Sequence, residues 1–204
     1  MKNIIFDFGN VLMTFNARDV ASKFTTSSEE IDFLVNEVVN SPEWGRYGLI
    51  DTGYLSTEEI INTINDRTNN KYKDLVIDFM HNFYKYRYVQ EEVLDIIKEL
   101  KEKGYRVYLL SNTNELTYDK VIKDIEYLFD GVVLSYQIHM IKPHEGIYKY
   151  LIDKYNINPE ESLFIDDREE NIKTANDLGI KGRSVLPDDV EDIRLVLKEY
   201  EIGD

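Results

Sequence analysis

Two hydrophobic rhythms run along the chain. From residue 90 onward, short continuous apolar runs alternate with stretches whose apolar positions recur at helical spacing. YRVYLLS, GVVLS, SLFIDD and IKGRSV are predicted strands. EEVLDIIKELKEKG, ELTYDKVIKDIEYLF, EGIYKYLIDKY, ENIKTANDLG and DDVEDIRLVLKEY are predicted helices, with Gly104 and Gly179 as C-terminal stops. Near the start, Ile4, Ile5 and Phe6 form a further short apolar run, long enough for a buried strand. Strand–helix alternation of this kind specifies an α/β fold, a Rossmann-like doubly wound parallel sheet with helices on both faces.

Between Asn16 and Arg87 the rhythm is different. No strand alternation occurs, and the stretch is rich in Asn, Thr, Glu and Tyr. SSEEIDFLVNEVV places Ile31, Leu34, Val35 and Val38 on one helical face. STEEIINTIND starts with Ser56 and carries Glu59 three residues on, a capping box, with Ile60, Ile61 and Ile64 behind it. A helical insert of roughly 70 residues is expected between the first strand and the rest of the sheet.

Length and charge narrow the picture. The chain has 204 residues, enough for one large domain or one core with an inserted unit. Its net charge is −15, which argues against binding along a nucleic-acid backbone and means that any bound phosphate needs locally placed cations. It has no cysteine, so disulfides and thiolate metal sites are excluded. MKNIIFDF lacks the pattern of a signal peptide, and no apolar run approaches the ~20 residues of a membrane span. A soluble cytoplasmic protein is expected, with a small-molecule partner and neither a nucleic-acid nor a membrane partner. The sequence does not indicate an oligomeric state.

The strand ends carry the chemistry. IIFD ends on Asp7, YLLS on Ser111 with Asn112 next, and LFIDD on Asp166 and Asp167. Lys142 follows the third strand, just before Pro143. Ligands of open parallel sheets bind outside the carboxyl ends of the strands, so these residues are expected to converge on one crevice. Clustered carboxylates repel unless a cation sits among them, and oxygen ligands without cysteine favour Mg²⁺ over Zn²⁺. A carboxylate can act as nucleophile, while a lysine and a hydroxyl–amide pair can hold phosphoryl oxygens. Taken singly, a strand-end aspartate can be a cap, Ser-Asn a turn, Lys142 a surface charge and Asp167 a helix cap. All of them in this order at successive strand ends point to phosphoryl transfer to water.

In DFGNV at Asp7, LLSN at Ser111, KP at Lys142 and IDDREEN at Asp166–Asp167, the sequence resembles the haloacid dehalogenase superfamily, most of whose members are Mg²⁺-dependent phosphatases. The resemblance implies a hydrolase core over 1–14 and 88–204 and a helical cap over 15–87. YGLIDTGYLSTEEI resembles the cap of the branch holding α-D-glucose-1-phosphate phosphatases and the N-terminal domain of soluble epoxide hydrolases. It further implies that Asp7 is the nucleophile and a Mg²⁺ ligand, and that the carbonyl of Gly9 is the second ligand. Asp167 becomes the third ligand, with Asp166 as an outer partner. Ser111 and Asn112 bind phosphoryl oxygens, and Lys142 neutralises the aspartyl-phosphate. The expected substrate is a small phosphorylated metabolite, for example a sugar phosphate.

One position departs from the pattern. Most phosphatases of the superfamily have a second aspartate two residues after the first, as acid and base; here Gly9 stands there. The carbonyl ligand survives, but the acid/base does not. His81, His139 and His144 are candidate replacements, with His144 expected simply to start the next helix. Trp44 and some of the tyrosines as far as Tyr54 are candidates for lining a sugar-sized pocket. Two other functions stay open: a metal-independent dehalogenase-type hydrolase, against which the Asp166–Asp167 pair argues, and a catalytically weak binding or regulatory protein.

Overall fold

The first strand, β1 (Asn3–Phe6), lies at the centre of a five-stranded parallel sheet. On one side come β2 (Arg106–Ser111) and β3 (Gly131–Leu134), on the other β4 (Ser162–Asp166) and β5 (Lys181–Ser184), in the order β3-β2-β1-β4-β5. Strand order therefore reverses between β1 and β4, where a doubly wound sheet opens a crevice at its carboxyl edge. In this computed structural model, the described residues are 1–45 and 48–203.

Residues 15–87 contain α1 (Ala17–Ala21), α2 (Ser28–Phe33), α3 (Thr57–Arg67) and α4 (Lys73–Asn82), with no strand among the described residues. The Ser56–Glu59 capping box forms as expected. Beyond α2 the expected helix widens into a π-helical turn at Leu34–Val39, which buries Leu34, Val38 and Val39. This unit has its own apolar cluster, built on Ile60, Ile64, Phe79 and Phe83 with Trp44 packed 4.5 Å from the Phe83 ring. Its two connections to the sheet run side by side: Thr14 N donates to Tyr88 O (3.1 Å), and Gln90 N to Leu12 O (2.8 Å).

The strands alternate in and out with period two. Ile4, Phe6, Val107, Leu109, Leu163 and Ile165 face one side, against α5 (Glu91–Glu102). Ile5, Tyr108, Leu110 and Phe164 face the other. Each fully buried apolar side chain of this size contributes roughly 1.5–3 kcal/mol relative to exposure, so a one-residue slip of register is strongly disfavoured.

The expected helix over ELTYDKVIKDIEYLF is broken. α6 (Glu115–Lys120) stops at Val121, whose φ of −137° leaves the helical region, and two short 3₁₀ turns follow. They bury Ile122 and Leu128 in the core, and Phe129 follows just after them. α7 (Ser135–Ile138) is a single turn after β3. α8 (Glu145–Tyr155) and α9 (Glu169–Asp177) cover the Ile5 face, and α10 (Val190–Glu199) joins α5 on the other. Gly104 and Gly179, at φ +88° and +84°, end their helices in the left-handed conformation that favours glycine. Among the described residues no helix is long and apolar enough to cross a membrane.

Candidate active site

Asp7 sits one residue past β1, with its N–H donating to Ile165 O on the neighbouring β4 at 2.9 Å. Its Oδ1 accepts from Phe8 N at 2.6 Å and pairs with Lys142 Nζ at 2.6 Å. Lys142 Nζ also reaches Asp166 Oδ2, at 2.7 Å. Lysine and aspartate pair are all but shut off from solvent, so the three form a buried cluster rather than a surface bridge. The main chain of Lys142 is set by a side-chain clasp: its N–H donates to Asn112 Oδ1 (2.7 Å), and its carbonyl accepts from Asn112 Nδ2 (2.9 Å). The Ser-Asn and Lys-Pro segments are thereby locked to each other.

Asp166 and Asp167 are neighbours in sequence with different surroundings. Asp166 is fully buried, and both its oxygens are engaged by protein donors: Lys142 Nζ, Arg168 N (2.8 Å) and Asn171 Nδ2 (2.9 Å to each oxygen). Asp167 is half-buried, lines the cavity and accepts from Asn10 Nδ2 at 3.0 Å. Asn10 adopts φ +58°, a left-handed conformation that asparagine tolerates. Ser111 is completely buried at the end of β2, and its hydroxyl makes one long contact, 3.4 Å, with Asn112 O. Asn112, one residue on, lines the cavity.

Asp7, Asn112, Lys142 and Asp167 form the core side of a cavity of about 400 Å³, and Gly9 lies on its wall. Phe15, Trp44, Asp51 and Arg87 close it from the helical insert. No sequence signal marked Asp51 or Arg87. Tyr47 of YGLIDTGYLSTEEI lies outside the described residues, and Tyr54 is exposed, stacked on His139. None of the three histidines lines this cavity. His144 is exposed at the N-cap of α8, His139 binds Thr52 O, and His81 pairs with Glu58.

The electrostatics favour a cation. Burial raises Asp7 to about 7; Asp166 and Asp167 add to the rise, and Lys142 opposes it. Burial also raises Asp167. Lys142 is itself held above its ordinary value, because Asp166 and Asp7 outweigh the cost of burying its charge. Three carboxylates share one ammonium, leaving two negative charges uncompensated when all are ionised. Carboxylate oxygens of Asp7, Asp166 and Asp167 lie within 4.8 Å of one another, a hard all-oxygen set suited to a divalent ion such as Mg²⁺.

Gly9 is not demanded by its backbone. Its φ is outside the left-handed region, and a Cβ built on it meets nothing within 4 Å. A side chain at position 9 therefore meets no clash at its Cβ.

A parallel sheet whose switch point holds a lysine-bridged carboxylate cluster, with helices closing over it, defines a class of hydrolases. Residues 1–179 match the haloacid dehalogenase-like hydrolase family, and the chain belongs to it. It is 28% identical over 195 residues, 89% of this chain and 90% of the relative, to a D-ribitol-5-phosphate phosphatase of Bacteroides thetaiotaomicron. It is 31% identical over 121 residues to the bifunctional epoxide hydrolase 2 of Rattus norvegicus, covering 56% of this chain and 21% of that protein. Among solved structures, a haloacid dehalogenase family enzyme of Bacteroides thetaiotaomicron in complex with magnesium and inorganic phosphate superposes with a TM-score of 0.75. It is 28% identical, over 93% of this chain and 96% of that one.

Proposed function

We propose that the protein is a Mg²⁺-dependent phosphatase that hydrolyses a small phosphorylated metabolite, a sugar or polyol phosphate, through a phosphoryl-enzyme intermediate on Asp7. The observation that carries this is the buried Asp7–Lys142–Asp166 cluster opening, with Asp167, onto one cavity at the switch point. The polyol-phosphate substrate of the Bacteroides relative and the magnesium and phosphate in the Bacteroides structure support it. The division into a Rossmann-like core (1–14 and 88–204) and a helical cap (15–87) belongs to the same proposal, supported by the separate apolar cluster of the insert.

Asp7 attacks phosphorus with a carboxylate oxygen. Lys142, already ion-paired to it, stays beside the acyl phosphate that forms and offsets its charge. Asn112 orients Lys142 through the paired hydrogen bonds and, lining the cavity, is the first phosphoryl-binding candidate. Ser111, completely buried and outside the cavity lining, becomes a second phosphoryl binder only if its barely engaged hydroxyl turns toward the cavity. Asp7, the Gly9 carbonyl and Asp167 would hold Mg²⁺, with Asp166 behind. The ion, when bound, offsets the carboxylate repulsion and polarises a phosphoryl oxygen. On the cap side Arg87, its guanidinium 4.5 Å from the Phe15 ring and its Nε without a hydrogen-bond partner, offers a donor to the leaving-group half of the substrate.

Phosphate release from 4-nitrophenyl phosphate, with and without Mg²⁺, tests the function. Release that requires the metal is expected; halide release from a haloacid without metal would instead indicate the dehalogenase reaction. Metal titration by calorimetry tests the ligand ranking. Because Asp166 is already saturated by protein donors, Asp166→Ala is expected to weaken Mg²⁺ by roughly 10–100-fold, the usual cost of an outer partner. Asp167→Ala should cost more than that. Equal losses would refute the ranking.

A further inference from the structure

Gly9 leaves the reaction without an acid or base on the first loop, and no histidine lines the cavity. A carboxylate from elsewhere does. Asp51 lies on the turn Leu49–Thr52 of the insert and borders both the main cavity and a smaller one of about 90 Å³. Gly9 and Asn112 border both cavities as well.

The turn that carries Asp51 is fastened to the core. Ser135 Oγ donates to Asp51 O at 2.6 Å, and His139 Nδ1 to Thr52 O at 2.8 Å. Gly53, at φ +69°, lies so close to α7 that a Cβ would sit 2.2 Å from Tyr136 O. The carboxyl group itself has one long contact, Oδ1 to Asn114 Nδ2 at 3.5 Å. An acid held by its main chain and loosely engaged by its side chain is positioned, yet free to exchange a proton.

On the phosphatase function proposed above, we infer that the Asp51 carboxyl group is the general acid and base of the reaction, in the place that Gly9 leaves open. In the first step Asp7 forms a bond to phosphorus and the bond from phosphorus to the leaving oxygen breaks. The electron pair stays on that oxygen, which takes the proton of Asp51 and departs as an alcohol. In the second step water attacks phosphorus and gives a proton to the Asp51 carboxylate. The bond to Asp7 breaks, releasing inorganic phosphate and restoring both carboxyl groups.

The proton state suits the role. Burial raises Asp51 to about 6, against the pull of Asn114, Arg87, Arg168 and Lys142; Asp7 and Asp167 border the same cavity. The acid form serves the first step, so its contribution to kcat/KM is present at low pH and lost as pH rises through that value.

The test is a leaving-group series of phosphates that carry no other hydroxyl: 4-nitrophenyl, phenyl and ethyl phosphate, with Mg²⁺. For the unaltered chain kcat/KM is expected to depend weakly on leaving-group pKa. Asp51→Asn should cut the ethyl ester by roughly 10²–10⁴-fold, the usual worth of a general acid, and the nitrophenyl ester far less. Its difference from the unaltered chain should vanish toward high pH. Gly9→Asp in the Asp51→Asn background should restore the ethyl ester. A uniform loss over the series, or none, with nitrophenyl phosphate hydrolysis still metal-dependent, overturns the role of Asp51 alone. No metal-dependent hydrolysis by the unaltered chain overturns the phosphatase function and this inference with it.

Discussion

Asp7→Asn is expected to abolish turnover, by on the order of 10⁴-fold or more, while the fold stays intact. The amide cannot form the phosphoryl intermediate, yet it has the shape of the carboxylate and leaves Lys142 its partner at Asp166, 2.7 Å away. Stability should move the other way. Asp7 is held at about 7, above the ordinary 3.8, so its ionised form opposes folding. That cost is fully present above about pH 7 and is relieved as pH falls toward 4. In metal-free buffer the variant's Tm should therefore equal or exceed that of the unaltered chain at pH 8, and the gap should close as pH falls. Stopped assays on 4-nitrophenyl phosphate and thermal melts at several pH values check both halves. Residual activity above a small fraction would remove Asp7 as the nucleophile.

Lys142→Met should be costly twice over. A protein of net charge −15 repels an anionic substrate at long range, so the cations at contact distance must overcome it. Removing the ammonium beside Asp7 should lower kcat/KM by about 10²–10³-fold, the range seen when one charge-stabilising donor is deleted. Methionine fills much of the same volume but leaves Asp7 and Asp166 buried without their cation. Breaking one partner of a buried pair costs about 3–5 kcal/mol, equivalent to a Tm lower by on the order of 10 °C in a chain of this size. Activity is therefore measured below the variant's melting range. Lys149, exposed and paired with Glu145, is the control: Lys149→Met should change neither kcat/KM nor Tm appreciably. Equal effects at the two lysines would refute the role of Lys142.

The core alternation and the loaded strand ends were legible because both are local. Apolar runs such as LFI commit a short segment to a buried strand, and a polar residue at its end is read directly from the chain. The Ser56–Glu59 box and the helix stops at Gly104 and Gly179 are likewise set by neighbours in sequence. The break in the helix expected over 115–129 was not, because its apolar residues share one helical face and read as a continuous helix, while the turn of the backbone at Val121 leaves no mark in that pattern. Ser111 and Asn112 show the same limit at finer scale. One residue decides whether a side chain ends inside the sheet or on the cavity wall.

By itself the sequence determined the sheet, the helical insert, the order of the charged strand ends and the absence of an acid at position 9, since each depends on residues close together along the chain. Only the tertiary structure decided which groups meet. Lys142 lies between Asp7 and Asp166, from β1 and β4, although 135 residues separate it from the first. Asp166 is saturated by Asn171 and Arg168 while Asp167 faces the cavity. Asp51 and Arg87, ordinary charges in a polar insert, close that cavity from above. The physical reason is that burial and electrostatic coupling act across a few ångströms of space. They depend on how the layers pack, which no local pattern of residues records.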